Sequence, residues 1–531
     1  MKGRREDHLG MPLLPCAMLI CAMLACARAD PRVPQSGPEA LPTHFSTRTP
    51  SLIPTDAPNP TSTQTPTPQL SPTLTATPAE PEPVVSPTFP ATPTYASTGL
   101  TGARLYLSQP GDTVGTLALR FGVLPEEISS LEGDLPADGG LIGQGRTLLV
   151  PSRLEGTGPD DLLVPDSEVV YSPHAADFNV EAFVASQAGF LARYQEKVGG
   201  SMRGGGEILG LVARDNSFNP RILLAMVEYT VGWVTDPAQP SEPELSYPFF
   251  QGDPELKGLH RQLTWMANEL GNGYYGWRDG SKLYIEFDDG ASIRLAPGIN
   301  AGTAALQHYF ATTSSHEQWE AAISPTGFVA SYEKLFGDPW EYEHPLYEPG
   351  LKQPPMILPF EPGKAWSFTG GPHGAWEREA AWAALDFAPV DVAGHCAVSP
   401  DWVVAAAPGR ITRSERGLVV IDLDGDGREQ TGWVLLYLHV AEEGRIAPGA
   451  WVEQGDRIGH PSCEGGTATG THIHMARKYN GEWILAGGPL PFELSGWVAH
   501  AGSKAYQGEL VKGDQVVIAC PCGSPETQIR R

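Results

Sequence analysis

Positive charge is scarce in this sequence. Its 531 residues carry 36 Lys and Arg against 62 Asp and Glu, a formal net charge of −26. Such a surface repels phosphate backbones, which excludes nucleic acid and anionic membrane faces as partners. Cysteine is sparse too, with seven in the chain. Cys16, Cys21 and Cys26 fall in an N-terminal apolar stretch, which leaves Cys396, Cys463, Cys520 and Cys522 for the rest. The apolar run at 11–25 is too short for a comfortable membrane span. No His-Glu-x-x-His segment occurs, so a helix-borne zinc site with its glutamate base is excluded. The chain is too long for one hydrophobic core, and several domains are expected.

The first segment has the pattern of an export signal. Lys2, Arg4 and Arg5 precede the apolar run, and two exits follow it. Ala27-Arg28-Ala29 has the form of a cleavage site before Asp30, and Met23-Leu24-Ala25-Cys26 has the form of a lipobox that leaves lipid on Cys26. Residues 1–29 are therefore expected to be a signal peptide or a lipoprotein signal, with the remainder extracellular or in the cell envelope. Residues 30–102 are rich in Pro, Thr and Ser and too poor in apolar side chains to offset chain entropy. They read as a disordered linker; roughly seventy residues in polyproline form reach on the order of 200 Å.

A compact module is expected at 103–152. Leu105-Tyr106-Leu107 suits a strand, Asp112 or Thr113 suits a helix cap, and Leu117, Ala118, Phe121 and Val123 form an apolar helical face. Pro125-Glu126-Glu127-Ile128 starts a second helix, and Gly145-Arg146-Thr147-Leu148-Leu149-Val150-Pro151 closes with a strand. This βααβ order, with the wording QPGDTVGTLALRFGV and GQGRTLLVP, resembles a LysM domain. The resemblance implies binding to N-acetylglucosamine-containing glycan. Ser129-Ser130-Leu131-Glu132-Gly133 departs from the Asn-rich stretch usual in that family, which bears on affinity.

Residues 160–350 show helical periods at 180–198, 208–212 and 220–231, and a hairpin of 283–287 with 292–295 around Asp288-Asp289-Gly290-Ala291. A mainly helical domain is expected. NPRILLAMVEYTVGW, INAGTAALQHYF and FVASYEKLFGDP faintly resemble lysozyme-like lytic transglycosylases, whose catalytic Glu falls at Glu228. Tyr229 stands where that family has Ser, so a non-catalytic spacer or substrate-orienting domain is the competing expectation.

Residues 365–500 are β-rich, with short strands at 403–406, 418–421, 434–438 and 472–475. In a strand, His472 and His474 point to one face, where two imidazoles can converge on a metal. His439 tips an apolar strand, His373 sits in Gly370-Gly371-Pro372-His373-Gly374, and Asp386 is a charge within an apolar run, costly without a partner. GGPHGAW, WVVAAAPGRI, LLYLH and CEGGTATGTHIHMARKYNGEW together resemble the lysostaphin-type metallopeptidases, in their β-lytic endopeptidase and staphylolysin branch. The gap of thirteen from His373 to Asp386 is particular to that branch; counting back four from Asp386 gives Trp382, where other members have His. The resemblance implies an antiparallel-sheet, lysostaphin-like fold (a duplicated hybrid motif), with His373, Asp386 and His474 on one zinc ion and His439 and His472 as catalytic histidines. Such a set leaves a fourth position on zinc open. Activity is then expected to fall in acid as the catalytic histidines protonate.

In the same branch the cysteine at position 463 is disulfide-bonded; its usual partner strand has no Cys here, which makes Cys396 the candidate. Cys520 and Cys522 have no assigned partner. Asp422-Leu423-Asp424-Gly425-Asp426-Gly427 begins like a calcium loop, but position twelve is Trp433, and a polar hairpin is favoured. His395, His460 and His500 lack a motif, and 501–531 is a C-terminal extension. The expectation as a whole is a multidomain α+β protein: a zinc metalloendopeptidase held on peptidoglycan by LysM and cutting its peptide cross-links. A non-catalytic wall-binding protein and a glycosidase using Glu228 are the alternatives.

Overall fold

The computed structural model describes residues 102–136, 139–250, 252–376, 381–390 and 392–531. The expected export signal, Cys26 and all but the last residue of the Pro/Thr-rich stretch lie outside the described residues. Strand β1 (Ala103–Leu107), helix α1 (Val114–Phe121), strand β2 (Ser129–Ser130) and strand β3 (Thr147–Pro151) build the first module, with the sheet in the order β1-β3-β2. Thr113 caps α1 by accepting from Thr116 N, and Gly122 ends it with φ 64°.

The expected second helix does not form. Pro125–Glu127 makes one 3-10 turn and the chain passes directly into β2. Ser129, Ser130 and Gly133 leave too few helix formers for a nucleus to propagate. Paired arginines seat the module on the next region: Arg120 donates to Trp277 O at 2.8 Å, and Arg294 donates to Leu119 O at 2.9 Å. Each cation thereby meets the last carbonyls of a helix.

The middle region is mainly helical, as expected. Its elements are α2 (Val180–Gln187), the hairpin β4 (Gln195–Val198) and β5 (Ser201–Gly204), α3 (Gly205–Asn216), α4 (Pro220–Val231) and α5 (Glu242–Ser246). Then come α6 (Leu259–Asp279), the hairpin β6 (Tyr284–Glu286) and β7 (Ser292–Arg294), α7 (Ala301–Thr313), α8 (His316–Ala322) and α9 (Phe328–Phe336). The helical period read through 180–198 stops at Gln187, because Ala188 turns left-handed at φ 55°. Helix α6, 21 residues long, escaped the sequence reading, since Gly271, Gly273 and Gly276 lower its propensity. Gly273 has a packing reason: a Cβ there meets Ala305 Cα of α7 at 2.8 Å.

The C-terminal region is a sheet layer. Its strands are β8 (Ala365–His373), β9 (Ala384–Pro389), β10 (Val403–Val404), β11 (Gly409–Glu415), β12 (Leu418–Asp422), β13 (Trp433–Leu438), β14 (Trp451–Val452), β15 (Arg457–Gly459) and β16 (Ile473–Tyr479). β17 (Glu482–Trp483), β18 (Glu493–Leu494), β19 (Trp497–Ala501), β20 (Gly508–Lys512), β21 (Gln515–Ile518) and β22 (Gln528–Arg530) follow. The main sheet is antiparallel in the order β14-β11-β12-β13-β16-β9-β8-β22, with β17 paired to β16. In residues 501–531, read as an extension, β22 pairs with β8 in the main sheet, while β20 and β21 complete a separate sheet in the order β18-β19-β20-β21.

Alternation along β12, β13 and β16 divides the core. Val419, Ile421, Leu435, Tyr437, Ile473 and Met475 pack with Phe368 and Phe387 on one face. Leu418, Val420, Val434, Leu436, Leu438 and Ala476 pack on the other with the helices of the middle region. Arg413 ties the two layers, donating to Asp215 of α3 at 2.6 Å and to Glu429 at 2.6 Å, while Lys478 reaches Glu429 at 3.1 Å.

Candidate active site

The sheet brings together all five residues chosen from the sequence. His373 ends β8, Asp386 lies in β9, and His474 in β16 stands opposite Asp386 on one side and Leu438 on the other. His439 follows β13 directly, and His472 precedes β16. Asp386 Oδ1 is 3.2 Å from His373 Nε2 and 3.3 Å from His474 Nδ1, and those nitrogens are 3.0 Å apart. These three residues are 1%, 6% and 7% exposed in the order His373, Asp386, His474. Irregular register between β8 and β9 at Gly370 and His373 re-aims the end of β8 toward Asp386. Gly370 faces Asp386 so closely that a Cβ would sit 2.5 Å from Oδ2.

Each imidazole gives one N–H to a backbone carbonyl. His373 Nδ1 donates to Gly371 O at 2.8 Å, and His474 Nε2 to Ala375 O at 2.9 Å. His439 Nδ1 donates to Glu464 O at 2.8 Å, and His472 Nδ1 to Gly470 O at 2.7 Å. The inner nitrogens of His373 and His474 therefore face each other with lone pairs, which repel unless a cation lies between them. Asp386 Oδ1 is buried and receives no hydrogen bond. An orphaned buried acceptor costs at least about 1–3 kcal/mol, more when charged, and a cation removes that cost. Two imidazole nitrogens and a carboxylate oxygen suit zinc with one position open, so the residues fit the metal.

The charge states follow from position. Burial opposes a proton on His373, but the adjacent Asp386 carboxylate outweighs it and raises the pKa. Burial likewise opposes charge on Asp386, yet His373 and then His474 hold its carboxyl well below the usual range. Burial lowers His474. Burial, then the neighbouring His472, push His439 down to about 4. The rings of His439 and His472 lie 4.4 Å apart, and His472 Nε2 is 3.8 Å from Asp386 Oδ1. His439 adopts φ 68°, a strained conformation outside glycine, held where Ser462 donates to His439 O through N at 2.8 Å and Oγ at 2.9 Å.

The remaining candidates lie elsewhere. Glu228 accepts from Thr235 N at 3.1 Å, Thr235 Oγ1 at 2.5 Å and Lys334 Nζ at 2.9 Å, so this carboxylate closes a loop and an ion pair. Asp422, the last residue of β12, accepts from the N–H groups of Asp424, Gly425 and Gly427, as in a polar hairpin loop, and its carboxylate lies within 4.8 Å of those of Asp424 and Asp426. Cys396 pairs with Cys463, and Cys520 with Cys522. His460 donates to Asp401 O and lies against Trp402; neither it nor His395 or His500 joins the metal-ligand cluster. Sequence reading missed Tyr506, whose ring stacks on His373 at 4.1 Å. Its loop is remote in sequence from every strand of the site and carries no motif.

Residues 162–350 match the family profile described as LasA, N-terminal domain. Protease LasA of Pseudomonas aeruginosa is 23% identical over 348 residues, covering 60% of this chain and 74% of that protein. Similar solved structures include the M23 metalloprotease pseudoalterin from the deep sea (21% identity, 32% of this chain, 96% of that one, TM-score 0.26). The catalytic domain of lysostaphin from Staphylococcus simulans is another (18% identity, 23% of this chain, 88% of that one, TM-score 0.17). The likeness to Protease LasA, with the LasA N-terminal domain match, supports a peptidase.

Proposed function

We propose that this chain is an exported zinc metalloendopeptidase that hydrolyses peptide cross-links of bacterial peptidoglycan. The buried Asp386 Oδ1, without a hydrogen-bond donor and between two inward-facing imidazole nitrogens, is the observation that carries this reading. His373, Asp386 and His474 would hold one zinc ion. Held by those residues, the ion would supply Lewis-acid polarisation of the scissile carbonyl and a water pKa lowered toward ~7. His439 and His472 present Nε2 as acceptors, because their Nδ1–H groups are committed to Glu464 O and Gly470 O. They orient the attacking water, take its proton at Nε2 and return it to the leaving amine. The same groups, once protonated, donate to the developing oxyanion. Burial keeps His439 neutral at neutral pH, as an acceptor must be.

The wall as substrate is supported by the LysM-like wording of residues 103–152 and by the likeness to Protease LasA. The signal-like N-terminus supports export, either free or with lipid on Cys26. The test is digestion of purified peptidoglycan by wild type, His373→Ala and Glu228→Ala, with and without chelator, followed by mass analysis. New amino termini that vanish with chelator and with His373→Ala are expected, with Glu228→Ala active. New reducing sugar ends in place of amino termini would overturn the reading, as would no release by wild type.

A further inference from the structure

The side-chain N–H groups of His439 and His472 are not held by the strands that carry His373, Asp386 and His474. Their Nδ1–H groups both bond to one irregular loop, residues 462–472, through Glu464 O and Gly470 O. That loop, SCEGGTATGTH, contains three glycines, of which Gly465 lies at φ 81° and Gly466 at φ 149°. A glycine-rich segment without a strand has much conformational entropy to lose, so it stays in place only where something fixes it. The loop's first residues are held by Ser462 on His439 O and by Glu464, whose Oε2 accepts from Glu442 N at 2.9 Å; the stretch nearer His472 is held by residues 395–399. Thr471 donates through N to His395 O at 2.8 Å and through Oγ1 to Ala397 O at 2.6 Å, and Ser399 N donates to Pro461 O at 2.9 Å. The covalent link in this seam is Cys396–Cys463, placed one residue before Glu464.

We infer that the Cys396–Cys463 disulfide positions His439 and His472, so that oxidation of this pair licenses turnover without being needed to bind the metal. The inference rests on the peptidase reading above. His373 and His474 take their own carbonyls from Gly371 and Ala375, and Asp386 is fixed in β9, so no ligand depends on the loop. With the bond open, hydrogen bonds alone hold the Glu464 and Gly470 carbonyls, through Glu442 N, Ser462 Oγ and the Thr471 contacts, and each carbonyl samples a wider range. The imidazoles then lose the preference that places hydrogen on Nδ1 and the lone pair on Nε2. Cys396 is exposed and Cys463 half-buried, which leaves the bond open to thiols.

Closure joins two thiols, which give up two electrons and two protons to an exchanging disulfide of an oxidising compartment; that disulfide leaves as two thiols. A chain still in a reducing cytoplasm would thus carry the metal ligands in place while its proton-handling pair was unset. Export would complete the site.

Three proteins test this: wild type, the double variant Cys396→Ser with Cys463→Ser, and the control Cys520→Ser with Cys522→Ser. Each is assayed for bound zinc by elemental mass spectrometry, and for histidine tautomers by long-range proton–nitrogen correlation on nitrogen-15 histidine. Turnover of purified peptidoglycan completes the set. The double variant is expected to keep one zinc per chain and an unchanged KM, with kcat down by about a hundredfold or more. His439 and His472 should then sample both tautomers, while His373 and His474 keep theirs. Wild type treated with a dithiol should behave alike and recover on reoxidation, which covers the case of a double variant that folds poorly. The inference is overturned if His439 and His472 keep the Nδ1–H tautomer with turnover within about twofold of wild type, or if zinc is lost together with turnover. If wild type itself releases no peptide, the peptidase reading fails, and the tautomers alone decide the positioning claim.

Discussion

Gly370→Ala places a single methyl group in the site without altering any ligand. In the structure a Cβ on Gly370 stands 2.5 Å from Asp386 Oδ2 and 3.0 Å from its Cβ and Cγ. Carbon and oxygen in ordinary contact need about 3.4 Å, so roughly 1 Å of separation is missing, and packing as dense as this has no slack to supply it. Asp386 is held in β9 between β8 and β16, so the strain falls on its side-chain torsions. Zinc ligands tolerate departures of about 0.2 Å from ideal distances, several times less than the shift required. One of three protein ligands is therefore displaced. Zinc affinity should fall by at least the ~10–100-fold that follows disturbance of groups supporting a ligand. Overpacking should also cost about 1–3 kcal/mol of stability.

The assay is a competitive zinc titration against a chromophoric chelator, paired with thermal melts of the metal-free proteins. Gly394→Ala serves as control, because nothing lies within 4 Å of a Cβ there. If Gly370→Ala binds zinc as tightly as wild type, Asp386 is not the ligand that the geometry makes it.

Other outcomes follow from the same structure. His439→Ala should retain zinc while kcat falls by about 10²–10⁴, read by metal content and peptide release; loss of metal instead would place His439 among the ligands. The acid limb of kcat/KM assigned to His439 should lie near pH 4, because the neutral acceptor persists above its lowered pKa of about 4 and is lost as pH falls through it. A limb unchanged in His439→Gln would remove the assignment. Glu429 is opposed by burial but held down to about 2 by Arg413 and Lys478. Against an unfolded value of ~4.3 this is about 3 kcal/mol, fully present above pH ~4.3 and lost as pH falls toward 2. Urea unfolding across that window should show the slope in wild type and not in Glu429→Gln. Arg120→Ala leaves Asp112 buried without its cation and should cost about 3–5 kcal/mol, with the 103–151 module becoming the first segment cut in limited proteolysis.

What the sequence could disclose depended on whether the interaction was local or periodic. Strands such as Val434–Leu438 and the His472/His474 pair declare themselves by alternation, and both histidines do face Asp386. Helix α6 was hidden because Gly271, Gly273 and Gly276 speak against a helix locally, while the gain at Gly273 comes from α7, some thirty residues on. The missing helix after Pro125 is the opposite error, a local start signal that Ser129, Ser130 and Gly133 do not propagate. Gly370, Tyr506 and the carbonyls of Glu464 and Gly470 were invisible for a further reason. Their roles lie in backbone approach, ring stacking and main-chain acceptors, which residue identity does not encode.

The strands themselves held one more signal, in what they fail to do. A sheet with one wet face alternates apolar and polar residues, whereas Leu418-Val419-Val420-Ile421 and Val434-Leu435-Leu436-Tyr437-Leu438 are apolar throughout. Both faces must then be covered, and a β-domain of residues 365–500 alone supplies one cover. The helical region supplies the second, over Leu418, Val420, Val434, Leu436 and Leu438. Strand parity puts Asp386 with Ala384, and His474 with Ala476, on that same helix-covered face. His373, Asp386 and His474 thus occupy a boundary between two layers, which accounts for their low exposure. Burial in that boundary also leaves Oδ1 of Asp386 without a hydrogen-bond donor, beside the His373 and His474 nitrogens.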